Sequence, residues 1–203
     1  MSFNTEKFVK PSGDLFFDFV NTVIARDGED VDLIETESDF FSWAVSVGIC
    51  DEERAAELMA AAGKGGGFLD TACRLRNALR GIAFDLIGGM PVSGGAILQI
   101  NKFLKVPFGY GELDMTTGKP ELRFVIVLET PESILAPVAA DAARLLTEGD
   151  PALVKQCESD TCVLFFYDST KNHSRRWCSM ESCGNREKVK AFYERKKKGR
   201  KKG

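Results

Sequence analysis

Four cysteines in the last quarter of the chain constrain its fold more than any other feature. They form two short pairs, Cys157 with Cys162 and Cys178 with Cys183, and fifteen residues separate the pairs. Two such pairs around a hairpin-sized spacer are how a chain brings four thiolates to one Zn²⁺ ion. A segment of roughly fifty residues has little core of its own, so the metal would supply about 10 kcal/mol or more of folding free energy. The spacing predicts one structural zinc ion per chain with no open coordination position.

Three other interpretations of these cysteines remain open from the sequence alone. Two disulfides would suit an exported protein, but the first residues, MSFNTEKFVK, do not read as a signal peptide, and we expect a cytoplasmic chain. A redox couple is more often C-x-x-C than C-x4-C. His173 could replace one cysteine, although a surface position in the hairpin tip is favoured. Cys50 and Cys73 lie in helical patterns and are expected to be small buried apolar residues.

Charge is divided sharply along the sequence. From Pro151 onward there are fourteen Lys and Arg against six acidic residues, whereas the preceding part has thirteen against twenty-four. This asymmetry predicts an acidic body joined to a basic binding module. The terminal KKKGRKKG by itself is typical of a solvated tail. No apolar run is long enough to cross a bilayer, so we expect no membrane partner.

Apolar periodicity predicts helices through the first half of the chain. The expected helices are LFFDFVNTVIAR as one continuous amphipathic helix, SDFFSWAVSVG with Ser38 as its N-cap, DEERAAELMAAAG opened by Asp51, the stretch from Phe68 to Ile87, and AILQINKFLKV. The glycines of GKGGG and GGMPVSGG separate the last three.

The pattern then changes to strands and returns to a helix. FGYGELDM and ELRFVIVL flank the turn TTGKP, and PESILAPVAADAARLLTEG is a helix that ends at Gly149. We place a domain boundary there, between residues 1–150 and 151–203. Within the cysteine spacer, VLFFYDSTKNHSRRW, we expect a strand, a polar turn around STKN, and a return strand that carries the second pair back to the first.

Two groups of motifs resemble a known family. The string RRWCSMESCGNR, with the upstream C-x4-C, resembles the CGNR-type zinc finger that closes a bacterial family of transcription regulators, and FDFVNTVIAR, FFSWAVSVG and RLRNALR are similar to that family's ABATE domain. The resemblance implies an α/β (α+β) N-terminal domain of helices with a small β-sheet. It also implies a C-terminal treble-clef-like zinc finger that binds double-stranded DNA.

The resemblance implies a helix that begins just after Cys183. Val189, Phe192 and Tyr193 are expected to pack inward on Phe165 and Trp177. The predicted nucleic-acid contacts are the basic residues on the return strand and the helix: Arg175, Arg176, Arg186, Lys188, Lys190 and Arg195. Asn185 could read adenine, but a role in stabilising the turn is favoured.

Polar residues on otherwise apolar N-terminal helices are candidates for a ligand pocket. Asn21, Arg26, Arg76 and Arg80, beside Asp18, would bind a small polar effector, and surface ion pairs are the alternative interpretation. The acidic body contains no histidine and no Ser/His/Asp or Cys/His arrangement, and GKGGG lacks the P-loop spacing. We therefore expect a protein that is not an enzyme.

Together these features predict a cytoplasmic transcription regulator. Its zinc module would bind DNA, and its acidic domain would sense a small molecule or mediate assembly as a homodimer. The alternative is a zinc-stabilised adaptor whose basic finger binds a protein or RNA.

Overall fold

The computed structural model describes residues 3–200, with side chains up to residue 197. Its helices are α1 (Leu15–Val20), α2 (Glu37–Ser46), α3 (Glu52–Gly65), α4 (Phe68–Ile87), α5 (Gly94–Leu104), α6 (Leu135–Glu148) and α7 (Asn185–Arg200). Its strands are β1 (Val23–Arg26), β2 (Glu29–Asp32), β3 (Gly109–Asp114), β4 (Glu121–Ile126), β5 (Val154–Gln156) and β6 (Phe165–Tyr167). They form three antiparallel pairs, β1–β2, β3–β4 and β5–β6. The predicted combination of helices, small sheets and a C-terminal cysteine module is confirmed.

The first predicted helix is half as long as expected. It ends at Val20, and the chain turns into the hairpin β1–β2, in which Arg26 pairs with Glu29. Asp27 and Gly28, both with positive φ, form the two-residue turn. The Asp-Gly dipeptide after the β-branched run Thr22 to Ile24 was the signal for a hairpin, and the helical spacing of the apolar residues obscured it.

The second helix is capped two residues earlier than predicted. Thr36, not Ser38, is the N-cap, because its side chain accepts from the backbone N–H of Asp39 while the Asp39 carboxylate accepts from that of Thr36. The prediction for α3 is confirmed, since the Asp51 carboxylate accepts from the N–H of Arg54. The α4 bounds are those expected from the sequence.

One hydrophobic core extends through the N-terminal helices and into the cysteine module. Phe19, Phe40 and Trp43 pack against one another at its centre in edge-to-face and tilted geometries, and α4 and α6 cover them with fully buried aliphatic residues. Val154 and Phe165, which lie beyond the predicted boundary at residue 150, belong to this core. The module is therefore anchored to the body through the hairpin β5–β6, which packs on α4 and α1. None of the helices from residue 3 to 200 combines the length and hydropathy needed to span a membrane.

The hairpin in the cysteine module has a different partner from the one predicted. β6 is the expected first strand of the spacer, but it pairs with β5, upstream of Cys157, so the first cysteine pair lies in the loop of this hairpin. The residues expected to form a return strand, Ser174 to Trp177, form no strand. One backbone hydrogen bond, from Glu158 N to Arg176 O at 2.9 Å, brings this segment back to the first pair.

Candidate metal centre and basic helix

The four cysteines of the two pairs converge on one point. All four sulfur atoms lie within 4.8 Å of one another, with Cys162 Sγ 3.8 Å from Cys178 Sγ and Cys178 Sγ 3.7 Å from Cys183 Sγ. Four thiolates at a Zn–S distance of about 2.3 Å in a tetrahedron stand about 3.8 Å apart. None of the four forms a disulfide. The donor set and its spacing fit a tetrahedral metal ion with four sulfur ligands.

The electrostatics of the cluster also favour a bound cation. The hydrogen bond with Cys178 lowers the pKa of Cys162 to about 5, whereas burial and the neighbouring Cys162 thiolate raise the pKa of Cys183 to about 11. Hydrogen bonding to Cys162 likewise raises the pKa of Cys178. Four thiolates this close together repel one another, so they cannot all form without a cation. The thiols that remain protonated lose their protons when a bound metal ion compensates the negative charge.

Local structure presents the second pair at the start of a helix. Cys183 lies in a single π-helical turn, Met180–Gly184, that leads directly into α7. The Asn185 side chain donates to Glu181 O at 3.3 Å, in line with its predicted turn-stabilising role. A Cβ at Gly184 would lie 2.9 Å from Met180 Sδ, so this position has little room for a side chain. With the first pair on a hairpin loop, this is the treble-clef-like arrangement that the resemblance implies.

A buried carboxylate that the sequence did not single out holds the spacer in place. Asp168 is fully buried and accepts from Lys155 Nζ at 2.5 Å, from Thr170 Oγ1 at 2.6 Å and from Arg175 N at 2.9 Å. Burial alone would raise the pKa of Asp168, but the hydrogen bonds from Lys155 and Thr170 outweigh it and hold that pKa well below its usual range. The Asp-Ser-Thr sequence directly after a strand is an Asx-turn signal that could have identified it.

Arg175 is turned toward the cluster. Its guanidinium lies 4.3 Å from the Phe166 ring centre, its Nε donates to Trp177 O at 3.0 Å, and its Nη2 donates to Cys178 O. The prediction that Arg175 and Arg176 lie on a return strand is wrong, because no strand forms there. Arg175 instead supports the backbone that carries one of the sulfur ligands.

Arg186 is also occupied by contacts around the cluster. Its Nη1 donates to Thr161 Oγ1 at 2.6 Å, and its Nη2 lies 3.9 Å from Cys183 Sγ. The residue therefore connects the loop of the first pair to α7 and donates to a ligand sulfur, as outer-shell groups at metal sites do.

Two further basic residues form ion pairs at the surface. Arg176 pairs with Glu158 and stacks over Trp177, and Lys190 pairs with Asp160. Both pairs are well exposed to solvent, where ion pairs contribute little and exchange partners readily. Arg176 and Lys190 thus remain accessible to an anionic partner.

The helix α7 projects from the module instead of packing against it. Val189, Phe192 and Tyr193 are 55%, 56% and 64% exposed, so the prediction that they pack inward is wrong. Phe165, one of their expected partners, lies in the main core against Phe84. Lys188 and Arg195 are exposed on this helix, and no ion pair or hydrogen bond within the described residues involves them. The terminal lysine run ends at residues 201–203, outside the described residues.

Arg76 lies in the N-terminal domain as a buried structural residue. Its side chain is 3% exposed, and its guanidinium contacts both carboxylate oxygens of Asp32 and donates to Thr22 Oγ1 at 2.9 Å. The pair joins α4 to the end of β2. Its Nε is buried and has no hydrogen-bond partner in the described part of the chain.

The other three predicted ligand residues differ in their surroundings, and of these Arg80 lies one turn after Arg76 on α4. Arg80 donates to Val20 O at 2.9 Å and lies over the Phe165 ring, and burial lowers its pKa. Asn21 donates to Phe165 O and accepts from Phe165 N, both at 2.8 Å, which fastens α1 to β6. Arg26 is exposed at the tip of the β1–β2 hairpin. Arg76, Arg80 and Asn21 thus have partners within the fold, and their role in binding a ligand stays a prediction.

A cleft lies elsewhere, between the body and the cysteine module, and we call it the junction cleft. Its volume is about 390 Å³. The body contributes Lys10, Ser12, Asp18 and Asn21 to its lining, and the module contributes Phe166, Tyr167, Ser169, Arg175, Ser179 and Ser182. Asp18 accepts from Ser12 N at 2.7 Å, and burial raises the pKa of its carboxyl. Both charge signs are thus present in one concave site.

The structure also shows the surroundings of His173, Cys50 and Cys73. His173 is exposed in the loop after β6, with positive φ, and its Nδ1 lies 3.1 Å from Asp168 O, so it contributes no ligand to the cluster. Cys50 and Cys73 are half-buried free thiols. Burial raises the pKa of each, to about 11 for Cys50.

Comparison with known proteins gives two family matches. The model of ABATE, described as "Putative stress-induced transcription regulator", matches residues 13–149. The model of the CGNR zinc finger matches residues 154–196 and so contains all four clustered cysteines. A search of curated proteins finds no match.

Proposed function

We propose that this chain, which belongs to the ABATE family and carries a CGNR zinc finger, is a cytoplasmic transcription regulator that binds double-stranded DNA through its finger. The observation that carries the proposal is the exposed basic helix α7, which begins two residues after Cys183 of the four-sulfur cluster. The proposal assigns no catalytic residue.

The metal in this proposal is one structural zinc ion per chain. Four thiolates in a tetrahedron are the donor set that zinc prefers in structural sites, and the 3.7 and 3.8 Å sulfur separations agree with its bond length. Cys157, Cys162, Cys178 and Cys183 would hold it, and Arg186 would donate to the sulfur of Cys183. The zinc would fix the base of α7 and thereby the direction in which its basic residues project.

The six predicted DNA contacts divide into two groups in this proposal. Arg175 and Arg186 support the metal site, so their replacement would weaken DNA binding by loosening the finger. Lys188 and Arg195 are free to contact phosphates, and Arg176 and Lys190 can exchange their exposed partners for phosphates.

A salt series distinguishes these groups. Fluorescence anisotropy would measure the affinity of the full chain for a site selected from random duplexes and for its scramble. Replacing Lys188 and Arg195 together by Ala should leave the zinc content unchanged and reduce the salt slope by about 1.8, since each lost phosphate contact removes about 0.9. The matched control replaces Lys64 and Lys119, two exposed lysines of the body, and should leave the slope unchanged.

The proposal fails if the selected duplex binds no more tightly than its scramble, or if the control flattens the salt dependence equally. Preferential binding of RNA, or binding of a protein partner without any duplex preference, would favour the alternative function as an adaptor.

The junction cleft is the best-supported place for an effector. It is lined by both the body and the finger, so a ligand there would contact the two parts at once and could bias one relative to the other. Asp18 and Arg175 offer opposite charges, and the serines offer hydroxyl groups, which suits a small polar metabolite that carries both an ammonium and an acidic group.

Native mass spectrometry of the purified chain would detect a retained metabolite. Ser169→Trp fills the cleft from an exposed position and should abolish retention, whereas Ser174→Trp, on the same loop but outside the cleft lining, should not. Equal retention in both variants would place the effector elsewhere.

A further inference from the structure

The strands β3 and β4 form a ribbon with one apolar face that is open to solvent. The register pairs Leu113 with Leu122, Gly111 with Phe124 and Gly109 with Ile126, which places these six residues on the same face. Leu113 is 70% exposed, Leu122 77%, Phe124 56% and Ile126 46%. These are among the most exposed large apolar side chains of the described chain.

The opposite face of the ribbon is charged toward the turn, where it carries Glu112, Asp114, Glu121 and Arg123, and Arg123 pairs with Asp114 at 2.6 Å. Tyr110 and Val125 pair at the other end of this face. Alternation of apolar and polar residues along a strand marks a sheet with one face packed against another layer. Each of the two strands makes its extensive contacts only with the other, and an isolated two-stranded ribbon is marginally stable in water. The pattern therefore indicates a covering layer that the described chain does not provide.

Two glycines make the apolar face flat. A Cβ at Gly109 would lie 2.7 Å from Cε1 of Phe124, and a Cβ at Gly111 would lie 3.3 Å from Cδ1 of Leu122. The side chains of β4 can lie across β3 only because these positions have no side chain. A flat apolar face is suited to pack against another sheet face, at the usual separation of about 10 Å.

We propose that this face binds the same face of a second copy of the chain and forms a symmetric dimer. The exposed parts of the four apolar side chains amount to roughly 400 Å² per copy, which is as large as the patches that mark interaction sites. Two copies contribute about 800 to 900 Å², close to the apolar share of a standard interface of about 1,600 Å². The area is therefore sufficient for a stable dimer.

Charge favours a second copy over a strongly charged partner. Residues 109–126 carry three acidic and two basic side chains, so two ribbons can approach without strong repulsion, whereas the ribbon offers nothing that attracts a polyanion. A twofold axis places the same patch on both subunits, and an apolar, nearly neutral patch is complementary to itself. The proposal does not depend on DNA binding.

Sedimentation equilibrium of the zinc-loaded full chain, without nucleic acid, tests the proposal. The wild type should be a dimer in the range of about 1 to 100 µM. Leu122→Glu introduces two carboxylates into the contact and should raise the dimer dissociation constant by roughly 30-fold or more. Leu98→Glu is the matched control, because Leu98 is also 70% exposed but lies on α5 outside the ribbon, and it should leave the dimer intact.

A second variant, Leu122→Lys, tests whether the two copies meet at this face. Each charged variant alone should dissociate at higher concentration than the wild type, and an equimolar mixture of Leu122→Glu and Leu122→Lys should recover association, because the two faces oppose each other. The circular dichroism spectrum and zinc content report folding, which an exposed position should not affect. A monomeric wild type at about 100 µM would overturn the proposal. A dimer that survives Leu122→Glu, or one that Leu98→Glu disrupts equally, would overturn it as well.

Discussion

Replacing Arg76 by Met should destabilise the folded protein, because the arginine holds α4 to the β1–β2 hairpin. The guanidinium is almost fully buried, is bonded to both carboxylate oxygens of Asp32, and also donates to Thr22. Met retains an unbranched side chain of similar length, so the substitution removes the charge and the hydrogen bonds while keeping much of the packing.

The expected loss follows from the burial of the two partners. Removing one member of a buried ion pair costs about 3 to 5 kcal/mol, because the other charge is left uncompensated. Asp32 is 39% exposed, however, and water can partly replace its lost partner. We therefore expect the free energy of unfolding to fall by about 2 to 3 kcal/mol. For a chain of this size that corresponds to a melting temperature lower by about 4 to 12 °C.

Urea unfolding followed by tryptophan fluorescence measures this change, since Trp43 is buried in the main core. Arg74→Met is the matched control, because Arg74 is exposed on the same helix and should cost less than about 0.5 kcal/mol. A loss for Arg76→Met no larger than that of the control would refute the structural role. Tight binding of an anionic metabolite that Arg76→Met alone abolishes, with stability unchanged, would instead restore the ligand-site interpretation.

Three further predictions concern the metal site and its attachment to the body. Cys178→Ser should eliminate the bound metal in elemental analysis. In a Trp177→Phe background, where Trp43 is the remaining tryptophan, it should leave the fluorescence of the folded body unchanged, and full zinc occupancy in this variant would contradict the four-sulfur assignment. Asp168→Asn should speed zinc transfer to a chromophoric chelator at neutral pH. Because the pKa of Asp168 is lowered, its carboxylate stabilises the fold at neutral pH, and this contribution is lost as the pH falls below about 4. Equal rates of zinc transfer from the wild type and the variant at pH 7 would argue against this role. Asn21→Ala should lower the free energy of unfolding by about 1 to 3 kcal/mol, since the N–H and C=O of Phe165 lose their side-chain partners. Asn101→Ala, at an exposed position of α5, should have little effect.

Much of the helical architecture could be predicted because it depends on local signals. The bounds of α4, the Asp51 cap of α3 and the end of α6 at Gly149 all follow from apolar period, capping side chains and glycine position. The difference at Arg26 also has a local cause, because the Asp-Gly turn forms a hairpin where the helical spacing of apolar residues predicts a continuous helix.

The roles of the arginines could not be predicted in the same way. A sequence shows that Arg76, Arg175 and Arg186 are cationic, but whether each binds a ligand, a phosphate or its own chain depends on which acceptors folding brings within hydrogen-bond distance. Asp32, Cys178 O and Thr161 are those acceptors, and the one for Arg186 lies 25 residues away along the chain. The DNA contacts of Lys188 and Arg195 stay predictions.

The sequence by itself identified the four cysteines that cluster, because two C-x4-C pairs around a hairpin-sized spacer favour convergence of four thiols over the alternatives, and all four sulfurs do converge. It also determined that a basic helix follows Cys183. Only the tertiary structure decided that β6 pairs with β5, that the apolar residues of α7 and of the β3–β4 ribbon remain exposed, and that the finger shares a core with the body through Phe165. The physical reason is that side-chain period and spacing fix which face of an element is apolar, whereas the surface that covers that face is chosen by distant parts of the chain or by another molecule.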